Sequence, residues 1–186
     1  MSRFTSLPLS LEGLRLIELK EIGDTRGSLT RMFCADELAA AGWAKPIAQV
    51  NFTRTAKRGT VRGIHYQNSP YSEMKLVSCI RGAVWDVVID LRVNSPTFLM
   101  WHAENLSLAN ARALLIPEGF AHGFQALTDD VEMLYCHSNF YNHEAEAGLN
   151  PTDITLSIPW PIDITELSMR DASHPLISPA YKGVRL

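Results

Sequence analysis

The chain has 186 residues, which is long enough for one domain with a substantial core and short for two. Hydrophobic residues make up 46% and charged residues 20%, the balance of an ordinary globular protein. The net charge of −3 at pH 7 and the lack of a basic block argue against a nucleic-acid partner. We therefore expect any anionic ligand to be small and to be held by a few placed cations.

The N-terminus and the cysteines indicate the compartment. No run of about 18 apolar residues occurs, and no signal-type apolar stretch follows Met1–Thr5. We therefore expect a cytoplasmic protein that does not bind a membrane. Cys34, Cys79 and Cys136 are odd in number and far apart, which argues against a disulfide framework and a zinc site. We expect them to be core thiols.

The first third of the chain predicts one strand and one helix. The apolar segment Leu14–Leu19 is a candidate for a strand exchanged or paired with another subunit. The segment Ala35–Ala41 predicts a short helix, because acidic residues lie in its first turn and Gly42 follows its end.

The middle of the chain has a period of two. Leu76–Ile80 and Ala83–Leu91 flank Arg81 and Gly82, which predicts a β-hairpin. Further strands are predicted at Phe98–Leu106, Ala113–Ile116, Gly123–Leu127 and Val131–Tyr135, with turn residues between them. Such spacing is typical of an all-β antiparallel sandwich or barrel.

We interpret residues 1–186 as a single domain. Its barrel core covers about 45–140, and residues 148–186 form an irregular tail with short helical pieces wrapped against the barrel. Because an all-β barrel of this size manages its edges by closure or by subunit pairing, we expect a homodimer.

The most informative motif is Val61–Gln67, which is followed by Lys75. It places Arg62, His65 and Lys75 on short β-type segments, where they could converge on one anionic ligand that contains a carbonyl group. This combination predicts proton chemistry on a phosphorylated substrate.

Motifs along most of the chain support a family resemblance. They are Arg26–Gly27, Gln49–Asn51, Arg62–Gln67, Lys75–Val77, Trp85–Arg92, Ser95–Phe98, Ile116–Phe124, Leu134–Tyr135, Trp160–Pro161 and Leu167–Asp171. In order and spacing, from about Gly23 to about Asp171, they resemble the dTDP-4-dehydrorhamnose 3,5-epimerases. The resemblance implies a cupin-type jelly roll, usually dimeric, that needs no metal or organic cofactor.

The resemblance also implies a set of catalytic residues. In a 4-keto sugar the C3 and C5 protons are acidic because the resulting carbanion delocalises into an enolate, so epimerisation needs a base, an acid and a cation near the carbonyl oxygen. His65 matches the base and Asp171 the aspartate that holds it. Tyr135 matches the acid on the opposite face, and Lys75 the group that stabilises the enolate. Asp86 is expected to orient Lys75.

A second set of residues matches positions where the family contacts the nucleotide diphosphate or the sugar. These are Arg26, Gln49, Asn51, Arg62, His122, Tyr141, Glu146 and Arg170. Arginines suit a pyrophosphate because the guanidinium is a two-pronged donor.

Simpler roles remain open for several of these residues. His65 could be a satisfied core histidine, Asp86 a solvated face residue, Tyr135 a barrel-filling aromatic and His122 a cap on the preceding loop. The other histidines match no chemical role, and we expect each in a surface loop: His102, His137, His143 and His174.

Departures from the family pattern leave the substrate open. Ser28 stands where the family has an aromatic residue, and Arg31 stands where it has a glutamate. These positions belong to the nucleotide-binding strand, so a CDP or GDP carrier is an alternative to dTDP. The segment Gly148–Ile154 replaces a Trp-Asp-Asp-Pro pattern, and inversion at C3, at C5 or at both remains open.

The predicted function is therefore a cofactor-independent epimerase acting on a nucleoside-diphosphate-linked 4-keto-6-deoxyhexose in deoxysugar biosynthesis. The alternative from another class is a non-catalytic sugar-nucleotide-binding cupin, for which a complete acid–base set is unnecessary. A metal-dependent cupin is disfavoured because Gln67 stands where metal cupins carry the second histidine of a His-x-His pair.

Overall fold

The computed structural model describes residues 2–186, which form fourteen strands and two short helices. The strands are β1 (Phe4–Pro8), β2 (Arg15–Leu19), β3 (Glu21–Asp24), β4 (Gly27–Thr30), β5 (Gln49–Thr55), β6 (Thr60–Gln67), β7 (Lys75–Arg81), β8 (Ala83–Asp90), β9 (Trp101–Ser107), β10 (Arg112–Ile116), β11 (Phe120–Ala126), β12 (Val131–His137), β13 (Glu146–Gly148) and β14 (Glu166–Leu167). The helices are α1 (Ala35–Ala39) and α2 (Met169–Ala172). Within these residues no helix is long and apolar enough to cross a bilayer.

Most strands belong to two antiparallel sheets. The first sheet has the order β1-β2-β10-β7-β12-β5, and the second has the order β13-β6-β11-β8-β9. β14 adds to β6 in parallel, while β3 and β4 form a separate hairpin. The predicted all-β antiparallel architecture is therefore confirmed. Beyond β13 the described chain holds only β14 and α2 as regular elements.

Period-two alternation on the central strands builds the core between the sheets. Val77 and Met133 point inward from the first sheet and meet Val88 and Phe124 from the second, all of them buried. Burial of side chains of this size contributes roughly 1.5–3 kcal/mol each.

The outward-facing apolar residues of both sheets are also covered. Leu38 of α1 and Trp43 cover the outer face of the first sheet. Leu156 and Val184 of the tail cover the outer face of the second. Cys79 and Cys136 are buried thiols as predicted, whereas Cys34 is only half-buried.

The predicted hairpin between β7 and β8 is wrong. β7 lies between β10 and β12 in the first sheet, and β8 lies between β11 and β9 in the second. Gly82 adopts φ +75°, and a Cβ there would lie 2.4 Å from Thr128 Oγ1. The chain thus passes from one layer to the other through a crowded turn that only glycine fits. Periodicity predicted both strands but carries no information about which sheet each joins.

The segment Leu14–Leu19, which is a candidate for pairing with another subunit, has both strand edges occupied within the chain. β2 pairs with β1 on one side and with β10 on the other, both in the same chain. The edges of the first sheet are β1 and β5 instead. The predicted helix at Ala35–Ala41 exists but is shorter, because α1 ends at Ala39 and a turn leads to Gly42.

Close contact between β6 and β11 distorts the strand that carries the central motif. Gly63 has φ +118°, and a Cβ on it would lie 2.6 Å from the Cα of Gly123. The register between the two strands shifts there. In a regular strand Arg62 and His65, three residues apart, would face opposite sides. The distortion lets both line the same cavity.

Candidate active site

A cavity of about 270 Å³ lies between the two sheets. Polar side chains from both sheets line it together with a few aromatic ones. From the first sheet come Gln49, Asn51, Thr53, Lys75, Tyr135 and His137, and Glu73 precedes β7. From the second sheet come Arg62, His65, Tyr66, Gln67, His122, Phe124 and Glu146, and Tyr141 lies between β12 and β13.

His65 and Asp171 form a hydrogen-bonded pair at this cavity. The Nε2 atom of His65 lies 2.8 Å from Oδ1 of Asp171, and the N–H of Gly63 donates to Oδ2 at 3.2 Å. Ser168 caps α2 by accepting from the N–H of Asp171, which fixes the carboxylate's position. The arrangement leaves Nδ1 of His65 as the ring nitrogen that can act on a ligand.

The charge state of Asp171 suits this pairing. Burial acts to raise the pKa of Asp171, but the hydrogen bond and charge of His65 outweigh it and hold the pKa below its usual value. Asp171 is thus an anion at neutral pH, as an orienting partner for an imidazole base requires.

Tyr135 enters the cavity from the opposite sheet. It is 9% exposed, and burial raises the pKa of its phenol well above the usual value. The phenol is therefore protonated throughout the neutral range and can donate a proton. The ring also packs in the core between the sheets, so the space-filling role and a place in the cavity coexist.

The direct partner of Asp86 is His122 rather than Lys75, although the charge of Lys75 also acts on Asp86. Both of its carboxylate oxygens lie 2.9 Å from Nε2 of His122. Asp86 is fully buried, and that burial raises its pKa. The solvated-face alternative for Asp86 is wrong. The loop-cap alternative for His122 is also wrong, because His122 lies on β11 and lines the cavity.

The carboxylate that contacts Lys75 is Glu73, which the sequence interpretation missed. The Nζ atom of Lys75 lies 3.2 Å from Oε1 of Glu73, and Nδ1 of His137 lies 2.8 Å from Oε2. The surface-loop prediction for His137 is wrong. It follows Tyr135 by two residues on β12, so strand alternation alone places both on the inward face.

Six of the eight predicted binding residues line the cavity: Gln49, Asn51, Arg62, His122, Tyr141 and Glu146. Arg170 lies just outside and donates to Glu146 at 2.6 Å. Glu146 also accepts from the hydroxyl of Tyr141 at 2.8 Å. Arg26, by contrast, lies apart from the cavity on the exposed turn of the β3–β4 hairpin, paired with Asp24 at 2.5 Å. That hairpin belongs to neither main sheet, so in a single chain it does not bring Arg26 to the site.

The remaining histidines divide into three kinds. His143 is exposed in a loop, as predicted. His102 lies on β9 rather than in a loop. His174 lies in the tail, but it is half-buried and packs edge-on against His65, with ring centroids 5.9 Å apart.

One group in the described chain has the composition of a metal site. His65, Asp171 and His174 each offer a ligand atom, and these atoms lie within 4.8 Å of one another. Two of the three are already joined by the 2.8 Å hydrogen bond. A metal ion bound there would compete with the imidazole's role as a base.

Comparisons with known proteins agree with this geometry. The family model for dTDP-4-dehydrorhamnose 3,5-epimerase matches residues 8–178. A dTDP-4-dehydrorhamnose 3,5-epimerase from Shigella flexneri is 42% identical over 157 residues, covering 84% of this chain and 86% of the relative. A dTDP-4-dehydrorhamnose 3-epimerase from Streptomyces niveus is 39% identical, covering 93% of this chain and 84% of the relative.

A solved structure shows the same fold. The dTDP-6-deoxy-D-glucose-3,5-epimerase from Legionella pneumophila, in complex with dTDP-4-keto-L-rhamnose, aligns with a TM-score of 0.91 at 35% identity and covers 98% of each chain. The predicted cupin jelly roll and the predicted class of enzyme, an epimerase, are thereby confirmed. The chain belongs to the dTDP-4-dehydrorhamnose 3,5-epimerase family.

Proposed function

We propose that the protein inverts C3, C5 or both centres of a 4-keto-6-deoxyhexose carried on a nucleoside diphosphate, in a route to deoxysugars. The observation that carries this proposal is the cavity between His65 of β6 and Tyr135 of β12, because it offers a base and an acid from opposite sheets. Family membership supplies the class of substrate, since both relatives described above are named for dTDP-linked sugars.

His65 acts as the base in this mechanism. Its Nδ1 atom removes the proton next to the carbonyl group, and Asp171 on Nε2 stabilises the imidazolium that forms. The side chain of His65 is 31% exposed. It can therefore exchange the abstracted proton with water between turnovers.

Lys75 and Tyr135 complete the cycle. The ammonium of Lys75 stabilises the enolate oxygen as charge develops at C4. The phenol of Tyr135 then delivers a proton to the opposite face of the carbon, which inverts the centre. Before the next turnover the imidazolium of His65 releases its proton to water, and the phenolate of Tyr135 takes one up. None of these steps calls for a metal or organic cofactor.

Recognition of the nucleotide diphosphate is assigned to polar side chains at the mouth and walls of the cavity. Arg62 is the cation best placed for the diphosphate, because it lines the cavity beside His65. Gln49, Asn51, His122, Tyr141 and Glu146 also line it, and Arg170 is held against Glu146. Arg31, which replaces the family glutamate, pairs with Glu37. Because this position differs from the family pattern, CDP and GDP remain alternatives to dTDP as the nucleotide carrier.

A homodimer would give Arg26 a role. The β3–β4 hairpin exposes Leu29 and Ile22, and the edge strand β5 exposes Val50 and Phe52. We infer that these surfaces are covered by a second copy of the chain, and that Arg26 reaches the partner's cavity. Light scattering measures the mass of the particle in solution and so tests the dimer. Mixed dimers of an Arg26→Ala chain and a His65→Ala chain test whether Arg26 reaches the partner's cavity. In such a dimer one cavity keeps both His65 and the Arg26 of the other chain, so activity should be restored.

The proposed function places the protein in the cytoplasm, where nucleotide sugars are made, with no nucleic-acid partner. Its test is proton NMR in deuterated water with 4-keto-6-deoxy sugars on dTDP, CDP and GDP. Loss of the C3 or C5 proton signal identifies the carrier and the inverted centre together. Binding of all these ligands without proton exchange over hours would instead indicate a non-catalytic sugar-nucleotide-binding protein.

A further inference from the structure

Lys75 belongs to a continuous chain of polar contacts along one wall of the cavity. Its ammonium lies 3.2 Å from the Glu73 carboxylate and 3.5 Å from the carbonyl oxygen of His65. The other oxygen of Glu73 lies 2.8 Å from Nδ1 of His137. The Nε2 atom of His137 lies 3.4 Å from the side-chain nitrogen of Asn51.

The ionic members of this chain are withdrawn from water. The exposed fractions of the side chains are 9% for Lys75, 8% for Glu73 and 10% for His137. A buried ammonium needs a counter-ion, because burial without one favours its neutral form. Asp86 is held by His122 through both oxygens, so Glu73 is the carboxylate in direct contact with Lys75.

Glu73 is suited to this task because it is ionised. Burial acts to raise the pKa of Glu73, but the charge of Lys75 and the hydrogen bond from His137 outweigh it and hold the pKa below its usual value. A neutral lysine could not stabilise an enolate, so the charge of Glu73 bears directly on the chemistry.

The contacts of His137 fix its ring. Nδ1 lies 2.8 Å from Oε2 of Glu73 and is placed to donate to it, and Nε2 lies 3.4 Å from Nδ2 of Asn51. Its ring stacks on that of Tyr135, with centroids 6.1 Å apart and planes 22° from parallel. His137 and Lys75 are also register partners across β12 and β7. One imidazole thus contacts the carboxylate and the ring of the candidate acid.

We infer that Glu73 and His137 are positioning residues for Lys75. The Glu73 carboxylate keeps the ammonium charged and aimed at the carbonyl oxygen of the substrate. The N–H of His137 holds that carboxylate in place. This inference rests on the proposed function, which assigns Lys75 to the enolate oxygen. Neither residue was among the site residues that the sequence indicated.

Other titratable and charged side chains face Lys75 from the elements around it, and each contributes to the field there. They are Arg62, His65 and Tyr66 on β6, Asp86 on β8, His122 on β11, Tyr135 on β12, Tyr141 after β12 and Glu146 on β13. Because these groups stay the same in a Glu73 variant, a shift of the pH profile in that variant reports the lost carboxylate charge.

The first test is Glu73→Gln, which keeps the shape of the side chain and removes its charge. We expect kcat to fall about tenfold or more, with KM changing much less, because the enolate rather than the bound sugar loses stabilisation. We also expect the alkaline limb of the kcat/KM profile to move to lower pH, since Glu73→Gln removes the counter-ion of the buried ammonium. Glu73→Asp, which keeps the charge, should recover most of that shift.

Glu104→Gln is the matched control. Glu104 is also a partly buried carboxylate between an arginine and a histidine, with Arg112 at 3.0 Å and His102 at 3.7 Å. It lies outside the cavity lining, on β9. The control should keep the parent kcat and pH profile. A Glu73→Gln enzyme that also matches the parent in both would overturn the inference.

His137 has its own pair of variants. His137→Asn keeps an N–H near the position of Nδ1, whereas His137→Phe keeps the stacked ring and removes the donor. We expect a several-fold lower kcat for the phenylalanine variant and near-parent kcat for the asparagine variant. Equal kcat values for the two variants would overturn the role of the N–H.

A readout independent of turnover separates this inference from the proposed function. The chain has five lysines, so an NMR titration with ¹³C-labelled lysine side chains resolves each one, and Lys75→Met assigns the signal of Lys75. The midpoint of the Lys75 titration should fall in Glu73→Gln and stay unchanged in Glu104→Gln. An unchanged midpoint in Glu73→Gln contradicts the inference even if the enzyme is active, and proton exchange in the parent enzyme tests the function separately.

Discussion

His65 and Tyr135 enter one cavity from opposite sheets of the jelly roll. His65 lies on β6 of the second sheet, and Tyr135 lies on β12 of the first. A carbon held between them can lose a proton to one group and gain a proton from the other. Inversion of a stereocentre requires this separation of base and acid.

Asp171→Asn should lower kcat by roughly 10²- to 10⁴-fold with a much smaller change in KM, because the imidazolium loses its anionic partner and the ring loses its fixed tautomer. Steady-state kinetics with the accepted nucleotide sugar measure both constants. Asp163→Asn, at an exposed position in the tail, is the control and should retain the parent kcat. An Asp171→Asn enzyme with parent kcat would remove Asp171 from the dyad.

Tyr135→Phe should separate proton exchange from inversion. His65 can still remove the proton and return a deuteron to the same face, but the opposite face lacks its donor. Proton NMR in deuterated water should therefore show deuterium entering the starting sugar while the inverted product fails to accumulate. Inversion at the parent rate in this variant would exclude the phenol as the acid.

Asp90 provides a stability test away from the cavity. Its carboxylate accepts hydrogen bonds from Arg92, and from the hydroxyl groups of Ser95 and Thr97. Burial acts to raise the pKa of Asp90, but these bonds outweigh it and lower the pKa to about 2. Relative to an ordinary aspartate, the shift corresponds to about 2 kcal/mol of folding free energy at neutral pH.

The pH dependence of that contribution has a definite sign. A lowered pKa stabilises the fold above the unfolded-state value of 3.8, and the stabilisation is lost as the pH falls from there towards about 2. Denaturant unfolding should therefore find Asp90→Asn about 2 kcal/mol less stable than the parent at pH 7. The gap between the two proteins should narrow below pH 4. A gap that stays constant down to pH 2 would contradict this origin.

Removal of metal ions should leave turnover unchanged, since the mechanism uses His65 as a base. The test is activity after dialysis against a chelator, together with elemental analysis of the purified protein. Stoichiometric zinc or iron whose removal abolishes turnover would instead assign the group of His65, Asp171 and His174 to a metal.

Much of the fold could be predicted from the sequence, because strands with period-two burial carry a local signal. β7, β8 and β10 were predicted within a residue or two at each end. The pairing of β7 with β8 was predicted wrongly, since the turn at Gly82 looks like a hairpin in sequence and its crowding against Thr128 exists only in three dimensions.

The candidate site shows the same limit. The resemblance supplied His65, Asp171, Tyr135 and Lys75, and these residues do meet at or beside the cavity. Glu73 lies only two residues before Lys75, so its contact with Lys75 was within reach of sequence reasoning. The partner of Asp86 could not be derived, because His122 meets it only after β8 and β11 pair. His137 was within reach of sequence reasoning through its spacing of two residues from Tyr135.

Solvent-deuterium incorporation at C3 and C5 of the bound sugar tests the central claim most directly. The parent enzyme should exchange at least one of these protons, and His65→Ala should abolish that exchange while still binding the nucleotide sugar. Undiminished exchange in His65→Ala would contradict the account, because the proton would then leave by another route.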